Sequence, residues 1–361
     1  MKQNSLQIAK PEAETTVVVA MSGGVDSSAA AFLLKKAGYR VIGVTMDLLQ
    51  PPYAPQVSSI ADAATVAAQL GIEHHYYDFR DVFRQEVVDY FCGEYLAGRT
   101  PSPCIKCNQE VKIGLLAEKA LALGADVLVT GHYAQVRLRD GKAELYRAED
   151  LRRDQSYFLF AVRQKHLNLL RCPLYGLSKE QTRAVAAEAG LKVAAKADSQ
   201  DICFVSEGKY ADLIGALRPQ ILQQPGEIVT RDGKIVGCHR GLVHYTVGQR
   251  RGLNIGGGRI YYVLALDAVN NRVIVGEKDE LAIRRVRLEN VNWLGEEKPQ
   301  SLKLDVKLRS RQDIVPAEVF FDRQNGAEVV LQEAFSGVAP GQGCCFYLRD
   351  RVMGGGFICK S

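Results

Sequence analysis

Thr16–Ser28, TVVVAMSGGVDSS, is the stretch whose reading decides the fold. Its first part, Thr16 to Met21, is a continuous apolar run of the kind that fills a strand buried on both faces of a parallel sheet. A glycine-rich turn follows. A helix is expected from about Ser27, with Phe32, Leu33 and Leu34 facing inward and Gly38 ending it. Between such a strand and such a helix, bare backbone amides and the positive helix end can hold phosphate oxygens. Gly23 and Gly24 let the backbone approach closely, and Ser22, Ser27 and Ser28 add hydroxyl donors. The turn contains no lysine and no GxxxxGKS or GxxxxGKT pattern, which excludes the ordinary P-loop, and GxGxxG is absent too. A tight turn capping a helix would account for an isolated glycine pair. SGGVDS directly after VVVAM is more particular than that.

Working outward, the first half alternates apolar runs with helical patterns, the signature of a parallel sheet covered by helices. Strands are expected at Arg40 to Leu48, Ile72 to Phe79 and Ala125 to Thr130, and helices at Ser58 to Leu70, Val82 to Leu96 and Ser178 to Ala189. Asp140-Gly141 and Asp232-Gly233 each signal a hairpin. From Gly226 onward glycines multiply. The runs RIYYVLAL, NRVIVGE, LKLDVKLRS, AEVVLQE and GCCFYLR recur at the spacing of a β-barrel or sandwich, with boundaries near Lys209 to Gln224 and Leu281 to Arg287.

The chain has 361 residues, 47% hydrophobic and 24% charged, enough apolar surface for two or three cores and too much for a disordered protein. No apolar run approaches a membrane span, and Met1 to Thr16 lacks the apolar block of a secretory signal, so a cytoplasmic location is expected. Nine cysteines in such a chain point to reduced thiols rather than a disulfide framework. The net charge is +5; Glu207 to Ser361 carries 22 Lys/Arg against 18 Asp/Glu, an excess compatible with a polyanionic partner and also with an ordinary surface.

Cys104-Ile105-Lys106-Cys107 follows Arg99-Thr100-Pro101-Ser102-Pro103 and precedes helix-forming sequence. Near a helix start, with Lys106 alongside, both thiols are expected to have lowered pKa values. A structural zinc site would need four ligands, and no second CxxC exists; Cys344-Cys345 in a strand would point to opposite faces. Spacing alone allows a thioredoxin-like motif, which the phosphate loop does not support. Cys203, in Asp198-Ser199-Gln200-Asp201-Ile202-Cys203-Phe204, read by itself is a small buried hydrophobe.

SGGVDSS resembles the PP-loop of ATP pyrophosphatases. That resemblance implies a phosphate cradle from Ala20 to Ser27 (Ala20, Met21, Ser22, Gly23, Gly24, Val25, Asp26, Ser27), with Asp26 assisting Mg2+ and Met46 beside adenine. GRTPSPCIKCN, GHYA (Gly131–Ala134), RRDQSYFL (Arg152–Leu159), DSQDICF, GLVHYTVGQRRGL and APGQ (Ala339–Gln342) occur in the order found in bacterial tRNA-specific 2-thiouridylases, and the resemblance covers Thr16 to Ile358. It implies an α/β protein: an N-terminal parallel-sheet PP-loop domain (1–210), a small, mainly-β central domain (211–284) and a C-terminal β-barrel (285–361). It also implies that ATP adenylates O2 of the wobble uridine of tRNA. Cys203 would carry a persulfide received from a cysteine desulfurase or a sulfur-relay protein. Cys107 would be the nucleophile that forms a transient Cys107–Cys203 disulfide. Gly131 would contact ATP; Ser102, Pro103 and Cys104 would stand by the target base; and His132, Arg153, Asp154, Gln155, Arg309, Ser310 and Gln342 would contact tRNA.

Some relatives carry aspartate where Cys104 stands and many carry asparagine where Ser102 stands, which leaves the acid/base role suggested for the aspartate without its residue. Cys104, Cys107 and Cys203 could together hold an iron–sulfur cluster. Two rival readings are an amidating PP-loop ligase, which would need a glutaminase or amino-acid pocket and no Cys203, and a non-catalytic RNA-binding protein.

Overall fold

A computed structural model of the chain describes residues 3–49, 57–196, 202–205, 210–217 and 224–359. Asp198–Asp201 and part of the first expected boundary, 209 and 218–223, lie outside them. The chain forms two compact units, Met1–Val87 with Cys104–Phe204 and Asp350–Val352, and Val88–Pro103 with Val205–Arg349 and Met353–Ser361.

The first unit is built on a parallel sheet. β1 (Thr16–Ala20) pairs with β2 (Arg40–Asp47) on one side, which pairs with β3 (Glu73–Asp78). On its other side β1 pairs with β4 (Val127–Val129). A hairpin of β5 (Gln135–Arg139) and β6 (Lys142–Tyr146) follows β4, turning through Asp140 and Gly141 at φ 51° and 80°, the backbone that an Asp-Gly turn favours. β7 (Leu170–Arg171) completes the sheet order β3-β2-β1-β4-β7. Val17, Val18 and Val19 are all fully buried. Since side chains alternate along a strand, both faces of β1 are covered, as its unbroken apolar run requires. Val17, Val19 and Met21 join Ala29, Ala30 and Ala31 of α1 (Val25–Lys36) and Ala63, Val66 and Ala67 of α2 (Val57–Leu70) in one core. Each such valine stabilises by roughly 1.5–3 kcal/mol over an exposed one. The chain reverses direction across the sheet between β1 and β4, the switch point at which open α/β sheets bind ligands.

The second unit is β-rich. β8 (Gly226–Thr230), β9 (Ile235–His239), β10 (Tyr262–Asp267) and β11 (Arg272–Gly276) form a sheet in the order β10-β11-β8-β9 over a core of Ile228, Val263, Val273 and Val275. The last six strands are β12 (Ala282–Trp293), β13 (Ser301–Lys307), β14 (Val315–Phe321), β15 (Ala327–Ser336), β16 (Gly343–Leu348) and β17 (Arg351–Ile358). They run in the order β12-β15-β14-β13-β16-β17, and a β12–β17 pairing closes them into a barrel around Leu288, Val306, Val319, Val329 and Phe346.

Closure explains the glycines of β17. At Gly354, φ is 129° and a Cβ would stand 2.0 Å from the Asn292 carbonyl oxygen; at Gly356 a Cβ would stand 2.9 Å from Val291. Gly354→Val should therefore destabilise the protein by roughly 3 kcal/mol or more. Gly93→Ala, within the helix Tyr90–Leu96 and open around its Cα, should be neutral or stabilising by up to ~1 kcal/mol. Denaturant midpoints of the two variants check this; equal midpoints would contradict it.

Candidate active site

The turn after β1 is shaped by its own hydroxyls and by steric need. Gly23 has φ 68°, and a Cβ on it would lie 2.0 Å from the Ser59 carbonyl oxygen, so no larger residue fits. Gly24 is the N-cap of α1, which starts at Val25, two residues before the position expected from the sequence. Ser22 donates its amide to Ser27 Oγ at 3.1 Å, and Ser28 Oγ donates to the Gly24 carbonyl at 2.8 Å. Gly131, after β4, packs on this turn: a Cβ there would stand 2.9 Å from Ser27 N and 3.0 Å from Asp26. Ala20–Ser27 and Gly131 thus meet at the switch point, and Met46 lies near the end of the neighbouring β2.

Asp26, in the first turn of α1, takes donors from two distant parts of the chain. Lys179 Nζ lies 2.7 and 2.9 Å from its two carboxylate oxygens, and Tyr133 Oη donates to Oδ1 at 2.8 Å. Burial holds the Tyr133 phenol well above its ordinary pKa, so it stays a donor. Lys179 is itself buried and opens the helix Lys179–Glu188, whose start is fixed by a capping box between Ser178 and Gln181. No motif pointed to Lys179 in the sequence, 153 residues beyond Asp26.

The CxxC lies at the start of a continuous helical stretch, Pro103–Cys107, Asn108–Leu115 and Leu116–Ala122, whose middle section follows the wider π-type winding. Proline suits the first turn, where its missing amide costs nothing. Ile105, Val111, Ile113 and Leu116 are fully buried, so the helix is enclosed on more than one side, and Asn108 donates to the Phe158 carbonyl at 3.1 Å. In α-helical winding a residue five positions on faces away; i→i+5 winding sets Lys112 one turn above Cys107.

Cys203 belongs to the same unit. Phe204 is buried edge-on against Phe83, ring centroids 5.7 Å apart, which anchors the segment while the Cys203 residue reaches solvent. Cys104, Cys107, Cys203 and Lys112 are within electrostatic reach of one another. None of the three cysteines is disulfide-bonded, Cys107 is buried, and Cys104 and Cys203 reach solvent.

The expected thiol acidity is not what the structure shows. Burial pushes the Cys107 thiol up to about 12, and the protein walling Cys104 and Cys203 raises both of theirs despite their access to solvent. Desolvation outweighs the helix end, and the charge opposing it is Lys112, not Lys106, which is paired to Glu110 at 3.1 Å. Because a raised pKa means thiolate forms only as pH rises, alkylation of Cys203 by iodoacetamide should accelerate with pH above neutrality. Lys112→Met should move that limb to still higher pH and slow alkylation about tenfold per unit moved. Stopped-time mass analysis checks it, and superimposable profiles would remove Lys112 from the site's electrostatics.

His132 shares this environment. Its Nδ1 lies 2.8 Å from Thr130 Oγ1, which is 3.6 Å from Cys172 Sγ. Burial, assisted by Lys112, lowers its pKa to about 3, so it is a neutral hydrogen-bonding group and not a cation. Among the described residues no three of His, Cys, Asp and Glu gather closely enough to hold a metal ion, so the iron–sulfur alternative through Cys104, Cys107 and Cys203 has no three-cysteine site in this arrangement.

A protein-family model described as "tRNA methyl transferase HUP domain" matches residues 15–207, a second, "tRNA methyl transferase PRC-barrel domain", matches 215–277, and a third, "Aminomethyltransferase beta-barrel domain", matches 283–358. The tRNA-specific 2-thiouridylase MnmA of Paramagnetospirillum magneticum is 48% identical over 99% of both chains. That of Jannaschia sp. is 49% identical over 99% of this chain and 97% of its own. The chain belongs to the tRNA-specific 2-thiouridylase family. The α/β fold expected from the sequence is present: a parallel-sheet N-terminal region, a mainly-β central region and a C-terminal six-stranded barrel.

Several residues expected at tRNA also make contacts within the chain. The Asp154 carboxylate is fully buried and accepts from the amides of Ala148 and Ser156, both at 3.1 Å, and from Ser156 Oγ at 2.9 Å. It shapes the loop that presents exposed Arg153. Gln155 Oε1 accepts from the Tyr133 amide at 3.0 Å, so that end of the side chain is fixed by the loop after β4. Gln342 Nε2 donates to the carbonyl of Thr100 at 2.7 Å, while Thr100 donates to Pro340 at 2.7 Å. APGQ therefore clamps the Arg99–Pro101 segment just before Ser102 and Pro103. Arg309 lies along the backbone of Val247, Gly248 and Gly337, with one nitrogen 3.4 Å from the Val247 carbonyl; Ser310 and exposed Arg311 follow. No helix among the described residues is long and apolar enough to cross a membrane.

Proposed function

We propose that this protein is an ATP-dependent tRNA 2-sulfurtransferase that thiolates C2 of the wobble uridine. The reading is carried by one observation: a phosphate-type turn at the sheet's switch point and three thiols within electrostatic reach of one ammonium, Lys112, occur in the same compact unit. Family membership and the relatives' printed activity support it.

In this reading uridine O2 attacks the α-phosphorus of ATP, and pyrophosphate leaves. The amides of Ser22–Ser27 and the α1 terminus hold phosphate oxygens. Mg2+ typically takes one or two carboxylates together with phosphate oxygens and water, and Asp26 is the carboxylate this turn offers. The outer sulfur of a Cys203 persulfide becomes bonded to C2, and the C2–O2 bond breaks with AMP as leaving group. Cys107 thiolate takes the inner sulfur, forming a Cys107–Cys203 disulfide that an external thiol reductant reopens. Lys112 favours the thiolate; His132, neutral, donates to or accepts from the anticodon. Cys104 and Ser102 flank the base, and Arg153, Gln155, Arg309 and Ser310 bear on tRNA. The persulfide comes from a cysteine desulfurase or relay protein. We place the domains at 1–210, 211–284 and 285–361.

The family-model descriptions name methyl transfer, and the test separates the two. Purified protein, unmodified tRNA, ATP, Mg2+ and a persulfide donor should yield 2-thiouridine and AMP in equal amounts, with no requirement for S-adenosylmethionine. A methylated nucleoside formed without AMP would overturn the proposal.

A further inference from the structure

We propose that Lys179 is the phosphate-binding cation of the turn: with the site free of nucleotide it neutralises Asp26, and with ATP present it turns to a phosphate oxygen. The inference rests on the ATP-activating reading and adds a binding residue to it. The turn itself has no lysine, although a polyphosphate bound only by amides would carry most of its charge uncompensated. Lys179 brings that charge to the first turn of α1, with its ammonium on both Asp26 oxygens and 6.0 Å from the centre of the Tyr133 ring. Tyr133 in turn follows Gly131, which touches Ser27 and Asp26, so the lysine converges with both strand-end loops. Its backbone is held by the Ser178 cap and its side chain is buried, which limits it to small excursions about this point.

The exchange creates no uncompensated buried charge. Asp26 passes from ammonium to metal as Lys179 passes from carboxylate to phosphate, and each ion gains a partner as it loses one. A second lysine near the turn, Lys196, is more exposed and held by Asp62 at 2.8 Å and the Gly23 carbonyl at 3.3 Å. It ties down the turn's backbone and serves as the comparison.

Calorimetric titration of the full-length protein with ATP and with inorganic pyrophosphate, in EDTA and in Mg2+, tests the assignment without relying on turnover. Lys179→Gln should weaken both ligands about tenfold or more even in EDTA, Lys179→Arg should stay within about threefold, and Lys196→Gln should have the smaller effect. The double variant Asp26→Asn/Lys179→Gln removes the burial of an unpaired carboxylate and should fold, yet should still bind ATP weakly. Wild-type affinity in the double variant would mean that Lys179 acts only by neutralising Asp26, and would overturn the proposal; so would unchanged binding in Lys179→Gln. Absence of ATP binding by the unsubstituted protein would instead overturn the ATP-activating reading itself.

Discussion

Cys203→Ser should abolish 2-thiouridine formation, by at least ~10³-fold, while ATP-dependent pyrophosphate release from the tRNA-bound protein continues. Serine has the same shape with a slightly smaller side-chain atom and leaves the Phe204 packing on Phe83 in place, so the change is chemical and not architectural. A hydroxyl cannot store a transferable sulfur, and Cys203 has no part in the ATP half of the proposed reaction. The separation of the two half-reactions is the informative result. Nucleoside mass analysis and a pyrophosphate assay on the same samples read both. Normal thiolation would remove Cys203 from the mechanism, and loss of both activities would mean that the segment serves the ATP site instead.

Asp26→Asn should lower AMP formation by about 10²–10³-fold, the cost of losing one charge-stabilising group at a reacting centre. Asparagine preserves the shape of the first turn of α1 and can still accept from Tyr133, but it neither compensates Lys179 nor binds a divalent cation well. Excess Mg2+ should recover only part of the loss. The variant's thermal midpoint must be measured alongside, because Lys179 is left buried without its carboxylate. Normal AMP release from a folded Asp26→Asn protein would refute the placement of ATP at this turn.

The N-terminal half was readable because its local signals agree. The run Val17–Val19 is buried on both faces, Gly23 and Gly24 have conformations that call for glycine or suit an N-cap, and the Asp140-Gly141 turn adopts the backbone its residues favour. The barrel was less readable. The boundary expected near Leu281 to Arg287 overlaps the start of β12, where RRVRLEN alternates charged and apolar residues on a strand with one face in water. β17 was hidden by Gly354, Gly355 and Gly356, which ordinarily argue against a strand and here permit the close pairing with β12.

The chemistry of the site was legible in residue type but not in environment. Cys107 and Cys203 could be singled out by motif, yet their raised pKa values follow from burial that only the tertiary structure supplies. Lys112 is an ordinary helix lysine in the sequence, and what distinguishes it is the change from α to π winding between Cys107 and Leu116. Lys179 was missed because ion pairs across 153 residues leave no local pattern. Asp154 and Gln342 were legible as motif residues, but the hydrogen bonds that the Asp154 carboxylate and Gln342 Nε2 make to the backbone of neighbouring loops have no local pattern in the sequence.

The path of the sulfur atom is the central claim, and one radiolabelled turnover tests it most directly. Protein loaded with ³⁵S-persulfide on Cys203 is mixed with unmodified tRNA and ATP in the absence of reductant, and label, AMP and thiol state are then counted together. The account predicts one label in 2-thiouridine for each AMP released, with Cys107 and Cys203 recovered as a disulfide peptide. Label remaining on the protein while AMP accumulates, or labelled tRNA with Cys107 still a free thiol, would contradict it.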